Sequence, residues 1–336
     1  MKVLVSVCLA LLAGAVPAVA NVTIYSPGAN AKVVSPFWLY AVATPCSNQP
    51  VAAVGYSYDD SPNTTIMYSP SISATINSAT GAHVLHIKSW GNQGASCVTS
   101  INLTVVPPPT SMVPNYGIKA GALQTLGNWQ AASDVATGSG LARGLMNMVA
   151  NPSLSGYARE FDASYSNGAG ERFNVTFGID PWAQNFLYDM WVNLANPSGG
   201  IANLELDMNQ VMPNGQTVIY GVQCDGYSGT WDYTANAGTP SKPIDVWRHS
   251  GAECNPREWS TNSWHHIQIS YSRDKYGNVT YKSIWLDNIE QDLYVTVPSS
   301  FALGWGPALL TNFQIDGLGA KGSARAYVDN LTIYRW

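Results

Sequence analysis

Charged residues are scarce in this sequence. Only 11% of its 336 residues are Asp, Glu, Lys or Arg, and 16 basic residues stand against 21 acidic ones. Proteins that bind nucleic acid or anionic membrane surfaces carry clustered Lys and Arg, which this composition does not supply. The sequence therefore predicts neither nucleic acid nor an anionic membrane surface as a partner.

Long apolar runs are also missing, apart from one at the start of the chain. Lys2 supplies a positive charge, residues 3–16 are largely apolar, and residues 18–20 (AVA) have the small side chains of a signal-peptidase site. The run is shorter than the roughly 20 residues that a transmembrane helix needs. We expect residues 1–20 to be a signal peptide, with no membrane insertion, and the mature protein to be extracellular, periplasmic or attached to the cell surface.

Cysteine is rare as well, since the chain has five and Cys8 would leave with the signal peptide. The four that remain would meet an oxidising compartment, where disulfides form by default. Three pairings are conceivable, and the spacing of one pair in each candidate domain favours Cys46–Cys97 and Cys224–Cys254. A zinc site would need close Cys-x-x-Cys pairs or a Cys/His cluster, and the sequence contains neither.

Aromatic residues, in contrast, are abundant, with 12 Trp and 18 Tyr. Their flat faces stack on sugar rings, which suits a secreted protein of low charge. Large aromatic side chains also fill the cores of β-sandwiches, and we expect at least half of them to do so.

A proline-rich linker, predicted over residues 106–114, divides the chain. Before it, residues 21–105 show short alternating stretches separated by Gly, Pro and Asn, which is typical of a seven-strand immunoglobulin-like sandwich. Residues 26–30 (SPGAN) and 83–87 (HVLHI) resemble segments of the bacterial immunoglobulin-like modules attached to secreted glycan-active proteins. The resemblance implies a spacing or adhesion role for this module.

Residues 115–336 are enough for one all-β domain. A short helix is predicted around Ala120–Ala132, and the remaining pattern is a succession of strands. The predicted strands are 172–177, 186–194, 204–210, 217–223, 265–271, 280–286, 310–315 and 326–334.

The most informative of these strands ends in residues 205–210 (ELDMNQ). It places Glu205 and Asp207 on one face, roughly 6–7 Å apart, a spacing used by both glycosidic chemistry and metal binding. The stretch resembles the Glu-x-Asp-x-x-Glu catalytic strand of laminarinase- and lichenase-type glycoside hydrolases, which have a concanavalin A-like jelly roll. Gln210 stands where that signature has its proton-donating Glu, so the resemblance implies a glycan-facing strand whose acid is replaced.

Other stretches resemble laminin G- and pentraxin-like jelly rolls. Residues 263–269 (SWHHIQI) match a strand of that superfamily, residues 281–288 (YKSIWLDN) match its hairpin, and residues 326–331 (AYVDNL) match its closing strand. The hairpin usually has Gly where this chain has Asn288, and Asn also tolerates the positive φ of such a turn. Together the resemblances imply an all-β chain: an immunoglobulin-like β-sandwich followed by a concanavalin A-like jelly-roll β-sandwich at residues 115–336.

Period-two alternation assigns one face of each strand to the core and the other to solvent. The apolar rows of two predicted strands are Phe186, Tyr188, Met190, Val192 and Leu194 in the first and Leu204, Leu206 and Met208 in the second. If the strands share one sheet, the solvent face forms a groove whose carboxylates and amides bind hydroxyl groups while its Trp residues cover sugar rings. The side chains predicted to bind substrate on this wet face or at its edge are Asp189, Trp191, Gln210, Gln223, Trp231, Gln268, Trp285, Gln314 and Asp316. An ordinary solvent face is the alternative, and it would carry more Lys, Ser and Thr.

Three residues are candidates for catalysis, namely Glu205, Asp207 and His266. By the hydrolase resemblance Glu205 is the nucleophile and Asp207 its neighbour, and a retaining mechanism then needs an acid from another strand, with Asp189 or Asp316 available. In the alternative, Glu205 and Asp207 only bind hydroxyl groups or a Ca²⁺ ion, which prefers oxygen ligands.

His266 is instead a candidate general base for a uronate lyase. Such an enzyme also has to neutralise the substrate carboxylate, a task open to Gln210, Gln223 or Gln268. The alternative is a structural pair, with His265 buried and hydrogen-bonded to the backbone and His266 half-exposed beside it, because isolated His residues are usually structural.

We therefore expect a secreted protein that binds a polysaccharide or glycoconjugate on the wet face of its jelly roll, because the proton donor of the hydrolase signature is replaced. A glycoside hydrolase or uronate lyase is the second expectation, and a structural or adhesion protein is the third. Ca²⁺ is the cofactor considered, and no metal ligands are assigned.

Overall fold

The computed structural model describes residues 22–134, 139–197 and 199–336, which fall into two compact units. The first contains residues 22–31 and Trp38–Val105, and the second contains Lys32–Phe37 and Val106–Trp336. Both units are built from β-strands, which confirms the predicted all-β fold. The predicted signal peptide lies outside the described residues.

Helical structure in the described residues is limited to short 3-10 turns, and the helix predicted around Ala120–Ala132 is wrong. Leu123–Thr125 forms a single 3-10 turn, and Gln130–Asp134 is a strand paired with residues 170–174. Strand pairing and the interrupting glycines of this stretch outweigh its local helical propensity. None of the helical turns among the described residues has the length or the hydropathy to cross a membrane.

Residues 22–106 contain eight strands. They are β1 (Val22–Ser26), β2 (Ala31–Val34), β3 (Phe37–Ala43), β4 (Val51–Tyr58), β5 (Thr65–Met67), β6 (Ser71–Ile76), β7 (Gly81–Gly91) and β8 (Ser96–Val106). In the first unit one sheet has the order β1-β3-β6, and a second has the order β8-β7-β4-β5. Leu39 and Ile72 of the first sheet and Leu85 and Ile87 of the second are fully buried, so this unit is a small β-sandwich.

The remaining strands belong to the second unit. They are β9 (Ile118–Ala120), β10 (Gln130–Asp134), β11 (Ala142–Val149), β12 (Ala158–Ser166), β13 (Gly170–Gly178), β14 (Asn185–Leu194), β15 (Ile201–Val211), β16 (Thr217–Asp225), β17 (Thr230–Asn236), β18 (Asp245–Glu253), β19 (Trp264–Arg273), β20 (Asn278–Leu286), β21 (Ile289–Pro298), β22 (Ser300–Phe301), β23 (Ala308–Gly317) and β24 (Lys321–Arg335).

These strands form two sheets. The front sheet has the order β10-β13-β23-β15-β16-β17-β18, with the short β22 paired to β16. The back sheet has the order β11-β12-β24-β14-β19-β20-β21, with β9 paired to β24. Strands that are neighbours in the sequence are often not neighbours in a sheet, as β14 in the back sheet and β15 in the front sheet show.

The apolar core lies between the front and back sheets. Tyr188, Met190 and Val192 of β14 are fully buried, as are Leu206 and Met208 of β15, and all five belong to one apolar cluster. Each strand therefore turns one row of alternate side chains inward, and the inward rows predicted for these two strands are confirmed.

Phe161 of β12 connects the two sheets within this core. Its ring centroid lies 4.5 Å from that of Phe173 on β13 and 5.2 Å from that of Phe313 on β23. Aromatic contacts at these separations add to the free energy gained by burying the rings. Phe313 lies directly beneath the outer face of the front sheet, since its neighbours Asn312 and Gln314 project outward.

Both predicted disulfides are confirmed. The Cα atoms of Cys46 and Cys97 are 6.2 Å apart in the first unit, and those of Cys224 and Cys254 are 5.2 Å apart in the second. The second bond joins β16 to the residue that follows β18, so it encloses the β17–β18 hairpin. A separate hairpin, β20–β21, turns at Asp287 and Asn288 with φ of 51° and 69°, which confirms the turn predicted at Asn288.

Candidate functional site

The residues predicted to share one wet face lie on two different sheets. The front sheet carries Glu205, Asp207, Gln223, Gln314 and Asp316. The back sheet carries Asp189, Trp191, His266, Gln268 and Trp285. The apolar core separates the two groups, so the prediction of a single face is wrong. Period-two alternation shows which side of a strand is polar, but it does not show which strands are neighbours.

A straight row of polar side chains crosses the outer face of the front sheet. Glu205 on β15 lies directly opposite Gln314 on β23 and Gln223 on β16. The row continues to Arg172 on β13, opposite Gln314, and to Asp232 on β17, opposite Gln223. Directly opposite residues of an antiparallel sheet project to the same face, so five strands present one continuous polar strip.

A cleft of about 270 Å³ lies over this face. Its lining residues are Asp134, Arg172, Glu205, Asp207, Asn209, Ile219, Thr234, Pro243, Asp245, Trp247, Phe301, Leu303, Trp305, Asn312 and Gln314. Trp247 belongs to β18, and Trp305, which is 41% exposed, lies between β22 and β23. The cleft thus combines carboxyl and amide groups with two indole rings.

Gly221 of β16 keeps the cleft open beside Asp207, which lies directly opposite it. A Cβ atom at position 221 would lie 2.9 Å from Oδ1 of Asp207 and 2.8 Å from Cγ2 of Thr234. Both distances are shorter than nonbonded atoms tolerate. Any side chain at this position would displace its neighbours, so the depth of the cleft depends on this glycine.

Glu205 and Asp207 lie two residues apart on the same face of β15, so the ionisation of each carboxyl group affects the other. Burial, followed by the charge of Asp207, raises the pKa of Glu205 well above its usual range. Burial also raises the pKa of Asp207 to about 6, although the hydrogen bond from Asn312 opposes this effect. Burial therefore disfavours the ionised form of both carboxyl groups.

Amide side chains hold the neighbouring carboxyl groups in place. Nδ2 of Asn312 donates to Oδ2 of Asp207 at 3.3 Å, and Nε2 of Gln314 donates to Oδ1 of Asp316 at 2.9 Å. Burial raises the pKa of Asp316 to about 7. Two buried amide atoms on the cleft lining have no protein partner, Oε1 of Gln314 and Nδ2 of Asn209. They offer a bound ligand one acceptor and one donor.

Gln210 does not lie in the cleft, and its prediction as a substrate-binding residue is wrong. The side chain is completely buried and points away from the face that carries Glu205 and Asp207. The register of β15 with β23 is regular from residue 203 to residue 211, so position 210 has the same inward orientation as position 208. The third position of the hydrolase signature is therefore not on the wet face of this strand.

The interior surroundings of Gln210 satisfy both ends of its amide. Nε2 donates to the carbonyl oxygens of Asp180 and Ala183 at 2.6 and 3.1 Å. Oε1 accepts from Nε of Arg273 at 2.6 Å and from the hydroxyl of Tyr220 at 3.1 Å. Gln210 is thus a structural residue that accommodates a buried arginine.

Trp231 is also not at the groove, contrary to prediction. It is fully buried in the apolar core, where its ring lies 6.4 Å from that of Trp259. It lies directly opposite Cys224, which also faces inward. The disulfide-tied hairpin reaches the cleft through Trp247 instead.

The polar group on the back sheet forms a closed network. Asp189 binds Nε2 of His266 through Oδ1 and Nε2 of Gln268 through Oδ2, both at 2.8 Å. The rings of His266 and Trp191 stack 4.4 Å apart with an interplanar angle of 4°, and Trp285 is 4% exposed. The predicted catalytic set is therefore divided, because His266 lies on the opposite sheet from Glu205 and Asp207.

Glu205 and Asp207, which the sequence offers as oxygen ligands for Ca²⁺, supply two carboxyl groups, and that of Asp207 already accepts a hydrogen bond from Asn312. Among the described residues, one group of three metal-type ligands, Asp225, Asp232 and His249, has its ligand atoms within 4.8 Å of one another. Both oxygens of Asp232 already accept hydrogen bonds, from Thr230 at 2.7 Å and from His249 at 2.9 Å. Neither group provides the several free oxygen ligands that Ca²⁺ takes.

Several residues that line the cleft were not predicted from the sequence to be site residues. Arg172 and Asn312 alternate with inward-facing apolar residues on β13 and β23, so the side to which they project was readable, but the order of the strands was not. Trp305 lies outside any strand, and no periodic pattern indicates where such a residue will project. The cleft therefore contains one guanidinium group that the predicted face lacked.

No family model and no curated protein matches this chain. Solved structures with a similar fold include a carbohydrate-binding module of the β-sandwich superfamily, at 12% identity over 93% of this chain and 96% of that one, with a TM-score of 0.34. The cellulose-induced protein Cip1 matches at 13% identity over 61% of this chain and 90% of its own, with a TM-score of 0.37. A family 7 alginate lyase matches at 14% identity over 56% and 81%, with a TM-score of 0.30. These scores are too low to relate the ligands of those proteins to this chain.

Proposed function

We propose that the protein is a secreted carbohydrate-binding protein that takes a polysaccharide into the cleft of the front sheet. The observation that carries the proposal is the pairing of Trp247 and Trp305 with a floor of carboxyl and amide groups. Sugar rings present apolar C–H faces and a rim of hydroxyl groups, and this lining offers a partner for each. The two indole rings line the same cleft as the polar floor, so both kinds of contact are available to one ligand.

The orientation of position 210 favours binding over hydrolysis. The hydrolase signature has its proton donor at this position, but here Gln210 is an amide that is completely buried and donates to a backbone carbonyl in the interior. Uronate lyase activity is also disfavoured, because the residues that line the cleft include no His or Tyr to act as a base.

Replacing either wall residue, Trp247→Ala or Trp305→Ala, is expected to weaken glycan binding by about 1–3 kcal/mol, the usual effect of removing an aromatic anchor. A glycan array identifies ligands of the full chain, and isothermal titration then compares the variants on the best ligand. Trp182→Ala is the matched control, because Trp182 is 86% exposed and lies outside the cleft. Reducing ends released from the same ligand measure hydrolysis, and we expect none.

Unchanged affinity in both wall variants would show that the ligand binds elsewhere. The back sheet is then the first alternative, and Trp191→Ala tests it. Robust release of reducing ends that Glu205→Gln abolishes would contradict the binding function and establish a hydrolase.

For the first unit we propose an immunoglobulin-like module, residues 21–105, joined through the linker at 106–114 to the binding domain at 115–336. A specific observation also favours an adhesion role for it. Tyr25, Trp38 and Tyr40 are 61%, 43% and 39% exposed on the sheet formed by β1, β3 and β6, and the rings of Tyr25 and Tyr40 stack 5.0 Å apart. This role would be supported if the full-length cleft variants still adhered to a surface and if the first unit alone adhered to the same surface.

A further inference from the structure

Most of the ionisable side chains that line the cleft are acidic. Glu205, Asp207, Asp134 and Asp245 line the cleft together with one guanidinium group, that of Arg172. Buried and partly buried charges interact more strongly than exposed ones, because less solvent screens them. A polymer of uronic acids would bring further carboxylates against this lining, whereas a cationic polymer would complement it.

One buried atom on the same lining points to a ligand that donates hydrogen bonds. Gln314 is 0% exposed, and while its Nε2 binds Asp316, its Oε1 has no protein partner. Gln314 lies directly opposite Glu205, so the unpaired oxygen belongs to the acidic row. A buried acceptor without a donor is unfavourable, and an ammonium group supplies three donors and no acceptor.

The ionisation of the carboxyl groups is consistent with a cationic ligand. Burial now favours the neutral form of Glu205 and raises the pKa of Asp207 to about 6. A positive charge beside these groups stabilises their ionised forms, so binding of an ammonium group and ionisation of the carboxyl groups would favour one another.

We propose that the cleft selects a polysaccharide that carries ammonium groups, such as a polymer of 2-amino-2-deoxy sugars, and that it rejects polymers of uronic acids. This inference rests on the proposed function and names its substrate class. The ammonium group binds at the row formed by Glu205 and Gln314, Nδ2 of Asn209 donates to a hydroxyl group, and the indole rings cover the sugar. A bare divalent cation would use the carboxylates but would leave the aromatic walls without a role.

The test compares three soluble oligomers of equal length on the full chain by isothermal titration at about pH 6, where primary amines are protonated. They are β-1,4-linked glucosamine, its fully N-acetylated counterpart, and galacturonate. We expect the glucosamine oligomer to bind about tenfold more tightly or better than the acetylated one, which corresponds to about 1.4 kcal/mol, and the galacturonate oligomer not to bind. Glu205→Gln and Asp207→Asn should each bring the ratio of the two affinities, glucosamine oligomer to acetylated oligomer, closer to one. Asp60→Asn, which removes an exposed carboxylate of the first unit, is the control and should leave this ratio unchanged.

Other outcomes would overturn the inference, and they separate it from the proposed function. Equal affinity for the glucosamine oligomer and its acetylated counterpart would refute the charge preference. If Trp305→Ala also abolished the binding of both oligomers, the carbohydrate-binding function would still stand. Tight binding of galacturonate would refute the charge preference in the same way. Binding of CaCl₂ alone that Glu205→Gln abolishes would make the acidic row a cation site instead. If neither these oligomers nor any glycan of the array binds, both proposals fail.

Discussion

Gln210→Glu is expected to lower the free energy of unfolding by about 2–6 kcal/mol, because two buried carbonyl oxygens each lose a donor at about 1–3 kcal/mol. The carbonyls of Asp180 and Ala183 would face a carboxylate oxygen in place of Nε2. Arg273 would gain an ionic partner, but its guanidinium already binds Oε1 at 2.6 Å, so little new contact forms. The same change should produce no hydrolysis of a bound glycan, because position 210 faces the core.

Denaturant unfolding followed by tryptophan fluorescence measures this effect. All of the 12 Trp residues except Trp38 and Trp90 lie in the second unit, so the signal reports mainly on that unit. Gln130→Glu is the control, since Gln130 is exposed and the same chemical change there should cost little. A stable Gln210→Glu variant that releases reducing ends would contradict the inward orientation of this residue and restore the hydrolase interpretation.

Phe313→Ala is expected to destabilise the second unit by about 3–5 kcal/mol, the range for removing a large aromatic side chain from a packed core. Phe313 is 1% exposed, and its ring stacks on that of Phe161 with an interplanar angle of 20°. The same fluorescence experiment measures the loss. Leu145→Ala, at a leucine that is 69% exposed, is the control for removing an apolar side chain outside the core.

The Phe313 variant also tests how the core supports the cleft. Asn312 and Gln314 flank Phe313 on β23 and both line the cleft, so a cavity between them should loosen the floor and weaken binding in the fraction that remains folded. A variant with full stability would show that the two sheets do not depend on this contact.

Composition and period-two alternation predicted the all-β fold and both disulfides, and the inward rows of β14 and β15 were correct. These features are local, or depend on cysteine spacing within one unit. The grouping of the polar rows failed because β14 and β15 are neighbours in the sequence but belong to opposite sheets. Strand order is set by long-range packing, which a single strand does not encode.

The resemblance to a catalytic strand was correct for two positions and misleading for the third. Glu205 and Asp207 project to the wet face as expected from alternation, and alternation alone also places position 210 inward. The prediction for Gln210 followed the motif rather than the period of the strand. Trp231 was misplaced for a related reason. A disulfide-tied hairpin resembles a surface loop in the sequence, but every residue of β17 from Trp231 to Asn236 is buried.

Gly221 has a consequence for how the specificity of such a protein can change. No positive φ requires glycine there, so its backbone geometry is open to any residue, and only the space beside Asp207 and Thr234 excludes them. A single substitution would therefore press on Asp207 and Thr234, both of which line the cleft, although the backbone of the strand could accept it. Position 221 is thus a place where one mutation can change the shape of the cleft floor and, with it, the set of ligands that fit.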